Sequence, residues 1–307
     1  MQTPSKIARG KRHAHAPTHA HHRAPARGTP GMTSWVTFGT LSFRAPSMST
    51  LSPVSAPASP PMSILMYHQI GLYPRPDAHR SLFCHIDRFR AQLRYLKLMG
   101  FEVLNLAQAH ACLFEGRPLP KRSVVITVDD GYDDFREHAW PALQEFGCSA
   151  TVYLVSDLIG KTASWLTDWP HQPKLMDAAG VRQLHREGCD FGSHAMSHPR
   201  LSTLSAADQR REIFGSKQAL EDLLGAEVPD FCYPYGDYSL RARDLVQEAG
   251  YRTATTCIRG AANLSDNPFE LTRKAISYGD NVLGFAFKLH AKQARKGQAA
   301  RPDRIPS

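Results

Sequence analysis

The sequence predicts an α/β fold, a barrel of about seven parallel strands in a single domain, and three observations carry that expectation. From residue 63 onward, short apolar runs rich in β-branched residues alternate with stretches of helical period. The runs are nearly continuous, as in strands buried on both faces. Strand and helix repeat in an order whose crossovers are right-handed by rule, which makes the sheet parallel. About seven repeats favour a closed barrel over an open sheet.

Taken in order, Ile64, Leu65, Met66 and Tyr67 read as the first strand. Phe89, Leu93, Leu96 and Met99 share one helical face that stops before Gly100. Residues 123–128, rich in Val and Ile, form a buried strand, and 134–146 a helix closed by Gly147 at its C-cap. Residues 150–155 are the next strand. A helix over 178–186 ends near Gly188, and a short strand leads toward Ser193. The long amphipathic helix 205–224 starts at Ser205 as N-cap. Residues 231–233 are a strand, 239–249 a helix, and 253–257 and 271–277 are extended.

The flanks differ from this body. Residues 1–61 hold seven Lys or Arg and no acid, and residues 288–307 hold six and one acid, Asp303. The total of +9 less these +7 and +5 leaves −3 for residues 62–287. The basicity therefore belongs to the ends, and nucleic acid is not the expected partner of the body. Residues 1–61, rich in Ala, Pro, His, Ser and Thr, have no periodic apolar face to offset the entropy of ordering. They read as a low-complexity, disordered segment or as sequence upstream of a start at Met48 or Met62. Residues 288–307 read as a basic flexible tail. The six cysteines are scattered without a C-x-x-C pair. No apolar run has the length of a membrane span. The N-terminus lacks the charged, apolar and small-residue order of a secretory signal, which tips the expectation toward the cytoplasm.

Polar residues cluster where strands end, and in such barrels reactive groups sit at the carboxyl ends of strands. Asp129-Asp130-Gly131 follows directly on Val128. Alone it is an ordinary helix-capping turn, yet two adjacent carboxylates also invite a cation. His194 and His198 follow the strand ending at Ser193, and their i, i+4 spacing on a helical turn lets both reach one metal. One carboxylate and two imidazoles with open positions suit a catalytic rather than a structural ion. Tyr233-Pro234-Tyr235-Gly236 is a turn that can aim an N–H at an oxyanion. Tyr67-His68-Gln69 puts an imidazole at the end of the first strand, where it can serve as a general acid.

Together and in this order, these strings resemble the polysaccharide deacetylase family, the NodB-homology or carbohydrate esterase family 4 proteins, over about residues 62–287. Ile126-Thr127-Val128-Asp129-Asp130-Gly131-Tyr132 is similar to the family's Thr-Phe-Asp-Asp-Gly motif, with Val128 in the Phe place. By that resemblance Asp129 is the catalytic base, and Asp130, His194 and His198 are ligands of a divalent metal, with Zn²⁺ the expected ion. Ala195 stands where a hydroxyl residue is usual. The Tyr235 N–H is implied as an oxyanion donor. Cys232 replaces the usual Arg that orients the base, and Arg273 on a neighbouring extended segment is the candidate substitute. The family's Asp-Trp pair and late Leu-x-His find no convincing match. The opening Leu65-Met66-Tyr67-His68-Gln69-Ile70 is similar to the subgroup that includes poly-N-acetylglucosamine deacetylases, which implies His68 as general acid.

The resemblance implies a distorted (β/α)7-type barrel and a metal-dependent hydrolase that removes N-acetyl groups from an amino-sugar polysaccharide or glycoconjugate. Its partner would be an N-acetylated glycan. Two other readings remain at this point: a deacylase of a small or lipid-linked amino sugar, and a weakly active glycan-binding relative.

Overall fold

The computed structural model describes residues 61–169, 171–297 and 300–302. The expectations for residues 1–60, including the start at Met48, and for 303–307 lie outside the described residues.

Among the described residues, ten strands and seven α-helices follow one another. The first strand, β1 (Ser63–Tyr67), is succeeded by two three-residue strands, β2 (Gln69–Gly71) and β3 (Phe83–His85), and by helix α1 (Ile86–Leu98). Strand β4 (Glu102–Leu104) and helix α2 (Leu106–Phe114) come before the central strand β5 (Ser123–Val128). Then follow α3 (Trp140–Phe146), β6 (Thr151–Leu154), α4 (Ala178–Arg186), β7 (Asp190–Ser193) and α5 (Ala206–Leu224). The chain closes with β8 (Asp230–Cys232), α6 (Leu240–Glu248), β9 (Thr253–Arg259), β10 (Leu271–Ala275) and α7 (Val282–Ala291).

The main sheet runs β1-β10-β9-β8-β7-β6-β5-β4, and β1 also pairs with β5. That second pairing, in register from Ser63↔Val124 to Tyr67↔Val128, closes seven parallel strands into a barrel. Strand β4 pairs with the first half of β5 while β6 pairs with its second half. The barrel is therefore splayed at the end where β5 begins. Helix α2 sits there: Leu106, Ala109, Cys112 and Leu113 pack into one cluster with Ile64, Val125, Tyr153, Cys232 and Leu271 from five strands. Each such buried aliphatic side chain contributes roughly 1.5–3 kcal/mol. The helix starts on a capping box in which the Asn105 side chain accepts from the Gln108 N–H and Gln108 answers to Asn105 N–H.

The expected strands and helices are present, with local departures that have causes. The 134–146 helix begins as a π-turn over Phe135–Ala139, and the Trp140 N–H donates to the Phe135 carbonyl. Pro141 has no N–H to continue the regular ladder, so the spacing widens by one residue before α3. Strands β2, β3 and β4 are too short to show a period. Helix α7 runs through Ala291, and beyond it the Arg259 N–H donates to the Lys296 carbonyl and the Arg301 N–H to that of Tyr238. Among the described residues no helix is long and apolar enough to cross a membrane.

Candidate active site

Register delivers the polar residues to one end of the barrel. Because Tyr67 pairs with Val128, the next residues, His68 and Asp129, emerge together, and the Asp129 N–H donates to the Tyr67 carbonyl at 2.9 Å. Leu154 pairs with Ser193 in the same way, and the His194 N–H donates to the Leu154 carbonyl at 2.8 Å. Asp129, Asp130, His194 and His198 are 2, 4, 2 and 6 % exposed, so all four polar groups are held out of bulk water.

Asp130, His194 and His198 converge. Both imidazole Nε2 atoms lie 3.3 Å from Asp130 Oδ1, and the three donor atoms fall within 4.8 Å of one another. Burial works to raise the Asp130 carboxyl, but hydrogen bonds from His194 and His198 override it and hold the group well below the usual carboxylate range. Burial lowers His198, which favours the neutral imidazole. His194 Nδ1 lies 2.7 Å from the Cys232 carbonyl. A carbonyl only accepts, so Nδ1 carries a proton. Burial works to lower His194, but its contacts with Cys232 and Asp130 outweigh it and hold the imidazole well above its ordinary value. Nε2 therefore also donates to Asp130, and it is the atom left for a metal once that proton is lost.

The two histidines do not share a helical turn, contrary to the i, i+4 expectation. Residues 194–200 are irregular, and Ala195 and His198 both have φ 63°. Left-handed backbone at two points breaks any helical ladder. The loop is instead fixed by buried Glu212 of α5, whose Oε2 accepts from the Met196 and Ser197 N–H groups at 2.8 and 2.9 Å and whose Oε1 accepts from Ser197 Oγ at 2.7 Å. Of the five non-glycine residues with positive φ among those described, Asp130, Ala195, His198 and Tyr235 are all here. Such strain persists where surrounding contacts over-determine it.

Asp129 faces the barrel interior and meets Arg273 of β10. The guanidinium forks the carboxylate, Nη1 to Oδ1 at 2.6 Å and Nη2 to Oδ2 at 2.7 Å. Its other donors go to the Thr256 carbonyl, Thr127 Oγ1 and Cys232 Sγ at 2.9, 3.0 and 3.1 Å. All five N–H donors of the side chain are thus used. Burial works to raise Asp129, yet the charge and hydrogen bonds of Arg273 hold it below its ordinary value. The small Cys232 leaves the room that Arg273 fills from the neighbouring wall. His68 Nε2 stands 4.0 Å from Asp129 Oδ2.

The rim is aromatic. Trp165 stacks on His198 at 4.2 Å between centroids, and the Tyr235 ring meets His198 edge-on at 4.5 Å. Tyr235 is 43 % exposed with φ 59°, and Arg200 lies over its ring at 4.3 Å. Every residue expected at the site, His68, Asp129, Asp130, His194, His198 and Tyr235, is therefore within one neighbourhood. Trp165 and Glu212 were not expected there. Neither has a sequence signal, since one sits in an irregular segment and the other lies inside an ordinary amphipathic helix.

The donor set fits a divalent cation such as Zn²⁺: one carboxylate oxygen and two imidazole nitrogens, one of them with its tautomer fixed by a carbonyl.

Comparison with known proteins points the same way. Residues 116–254 match the family model described as polysaccharide deacetylase. YxkH of Bacillus subtilis (strain 168), which bears a provisional polysaccharide deacetylase name, is 27 % identical over 226 residues, 74 % of each chain. The poly-beta-1,6-N-acetyl-D-glucosamine N-deacetylase of Escherichia coli (strain K12) is 39 % identical over 257 residues. That alignment spans 71 % of this chain but only 37 % of the E. coli protein. Two solved structures share the fold. The Streptococcus pyogenes deacetylase PplD, in complex with acetate, superposes with TM-score 0.67 at 23 % identity, covering 76 % of this chain and all of that one (100 %). IcaB from Ammonifex degensii gives 0.64 at 19 %, covering 75 % and 97 %. The match over residues 116–254 is thus to the polysaccharide deacetylase family, and the similarity to these relatives, over 71–74 % of the chain, supports a hydrolase of that kind.

Proposed function

We propose that the protein is a metal-dependent N-deacetylase that removes acetyl groups from an N-acetylated amino-sugar polysaccharide, with poly-β-1,6-N-acetylglucosamine the polymer its E. coli relative suggests. The observation that carries this reading is the buried convergence of Asp130, His194 and His198 beside an Asp129 that Arg273 keeps ionised.

Asp130, His194 and His198 would hold the metal, which when bound supplies a Lewis acid for the acetamide carbonyl and for water. Asp129 takes a proton from the attacking water as its oxygen bonds to the acetyl carbon. The backbone N–H of Tyr235 donates to the oxyanion that develops on the former carbonyl oxygen. His68, at 4.0 Å from Asp129, protonates the departing nitrogen as the carbon–nitrogen bond breaks. Acetate and a free amine result. Exposed Tyr235 and partly exposed Trp165 put apolar aromatic surface at the rim, of the kind against which sugar rings pack.

Acetate release from β-1,6-linked N-acetylglucosamine oligomers, with β-1,4-linked oligomers and the monomer as comparisons, tests the reading. Release that a chelator abolishes and Zn²⁺ restores is expected. Chelator-insensitive release would remove the metal from the account, and release from the monomer alone would favour a small-molecule deacylase.

A further inference from the structure

A cavity of about 660 Å³ lies between the ends of β9 and β10 and helix α7 with its following segment, and it shares no lining residue with the carboxylate–histidine cluster. Arg259, Lys274, Lys288, Lys292, Arg295 and Lys296 all line it. Successive residues of a strand point to opposite faces. On β10, Arg273 turns inward to Asp129 and Lys274 turns outward, where its Nζ donates to the Leu289 carbonyl of α7 at 3.0 Å and to Gln293 Oε1 at 3.3 Å.

Lys274 is 4 % exposed, and both of its partners are neutral. An ammonium buried without a counter-charge is unfavourable, and burial here pushes the group down to about 8. Lys288 is paired with Asp280 at 2.5 Å and Arg295 with Asp266 at 3.7 Å. Among the described residues, Arg259, Lys274, Lys292 and Lys296 have no carboxylate within the 4.0 Å of an ion pair. The walls between the charges are alkyl stems and alanines such as Ala275 and Ala291.

We infer that this cavity binds a phosphate-bearing ligand, with the phosphoryl group seated against Lys274 and the surrounding cations. Several cations lining one cavity, four of them without an ion-pair partner among the described residues, match a multiply charged oxyanion better than a single carboxylate. The apolar walls suit a ligand whose phosphate is joined to an organic body, either a soluble phosphate ester or an anionic phospholipid headgroup.

The test uses the full chain with two probes: inorganic pyrophosphate followed by titration calorimetry, and co-sedimentation with phosphatidylcholine vesicles with and without phosphatidylglycerol. Two variants are compared with the parent, Lys274→Met and the exposed pair Lys292→Ala with Lys296→Ala; the pair decides if Lys274→Met does not fold. Pyrophosphate binding at one per chain, weakened about tenfold or more by the variants, supports a soluble source. Retention on phosphatidylglycerol vesicles that the variants reduce by a similar factor, without pyrophosphate binding, supports the lipid source. Failure of both probes, or binding that the variants leave unchanged, overturns the inference.

Discussion

A carboxylate that is 2 % exposed stays ionised only beside a cation, and for Asp129 that cation is Arg273. Removing one member of a buried pair leaves the other uncompensated, at a cost of about 3–5 kcal/mol. Arg273→Met is therefore expected to destabilise the fold by that order and to lower deacetylase activity by about 10²-fold or more. Because the low Asp129 value depends on Arg273, the acidic limb of the activity profile should move to higher pH in the variant. Arg273→Lys keeps a charge but not the fork, and a partial rescue is expected. An unmoved acidic limb in Arg273→Met would show that Asp129 is not the titrating base. A second buried carboxylate gives a stability prediction with the opposite sign. Burial pushes Asp230 up to about 6 although Thr253 Oγ1 donates to it at 2.6 Å. The folded protein thus holds this proton more tightly than the unfolded chain. Stability falls as pH rises from the unfolded value near 4 through 6, and the loss is complete above that. Asp230→Asn should remove this slope and add about 2 kcal/mol at pH 8, measured by denaturant unfolding across pH. Of these residues, Asp129 was legible in the sequence from its place after a strand. Arg273 was legible only as a candidate, because adjacency across a barrel is set by closure and not by spacing.

At the scale of elements, the site depends on how strand ends hand over to loops. The strand β7 places His194, but His198 is placed by the loop that Glu212 of α5 holds through three hydrogen bonds. Glu212→Ala should leave the barrel folded while lowering metal affinity by about 10–100-fold, as loss of outer support does at other metal sites; a competitive metal titration reads this. Unchanged affinity would mean that Ala195 and His198 keep their left-handed backbone without help. The strands and helices themselves were readable, since residues 123–128 and 206–224 carry clear patterns of burial and caps. The histidine loop was not, because i, i+4 spacing has the same appearance in a helix and in a turn with two positive-φ residues. The short strands β2 to β4 escaped for a simpler reason, three residues being fewer than two periods of alternation.

Over the whole molecule, a parallel barrel closed between β1 and β5 presents one end to substrate and stops the other with α2. Seven strands and their order were legible from the repeat of apolar runs and helices, whereas the wedge of β4 beside β5 was not, being a matter of closure geometry. A ligand that binds only the folded chain stabilises it by mass action, about 2.7 kcal/mol at a hundredfold excess over its dissociation constant. Zn²⁺ should accordingly raise the thermal midpoint of the chelator-treated protein, and Asp130→Ala should abolish the rise. The most direct test of the central claim is the metal content of the purified protein beside Asp130→Ala and His194→Ala, measured by elemental analysis after exposure to Zn²⁺ and removal of excess ion. One Zn²⁺ per chain in the parent and little in either variant is the expected result; equal content in all three would contradict the site.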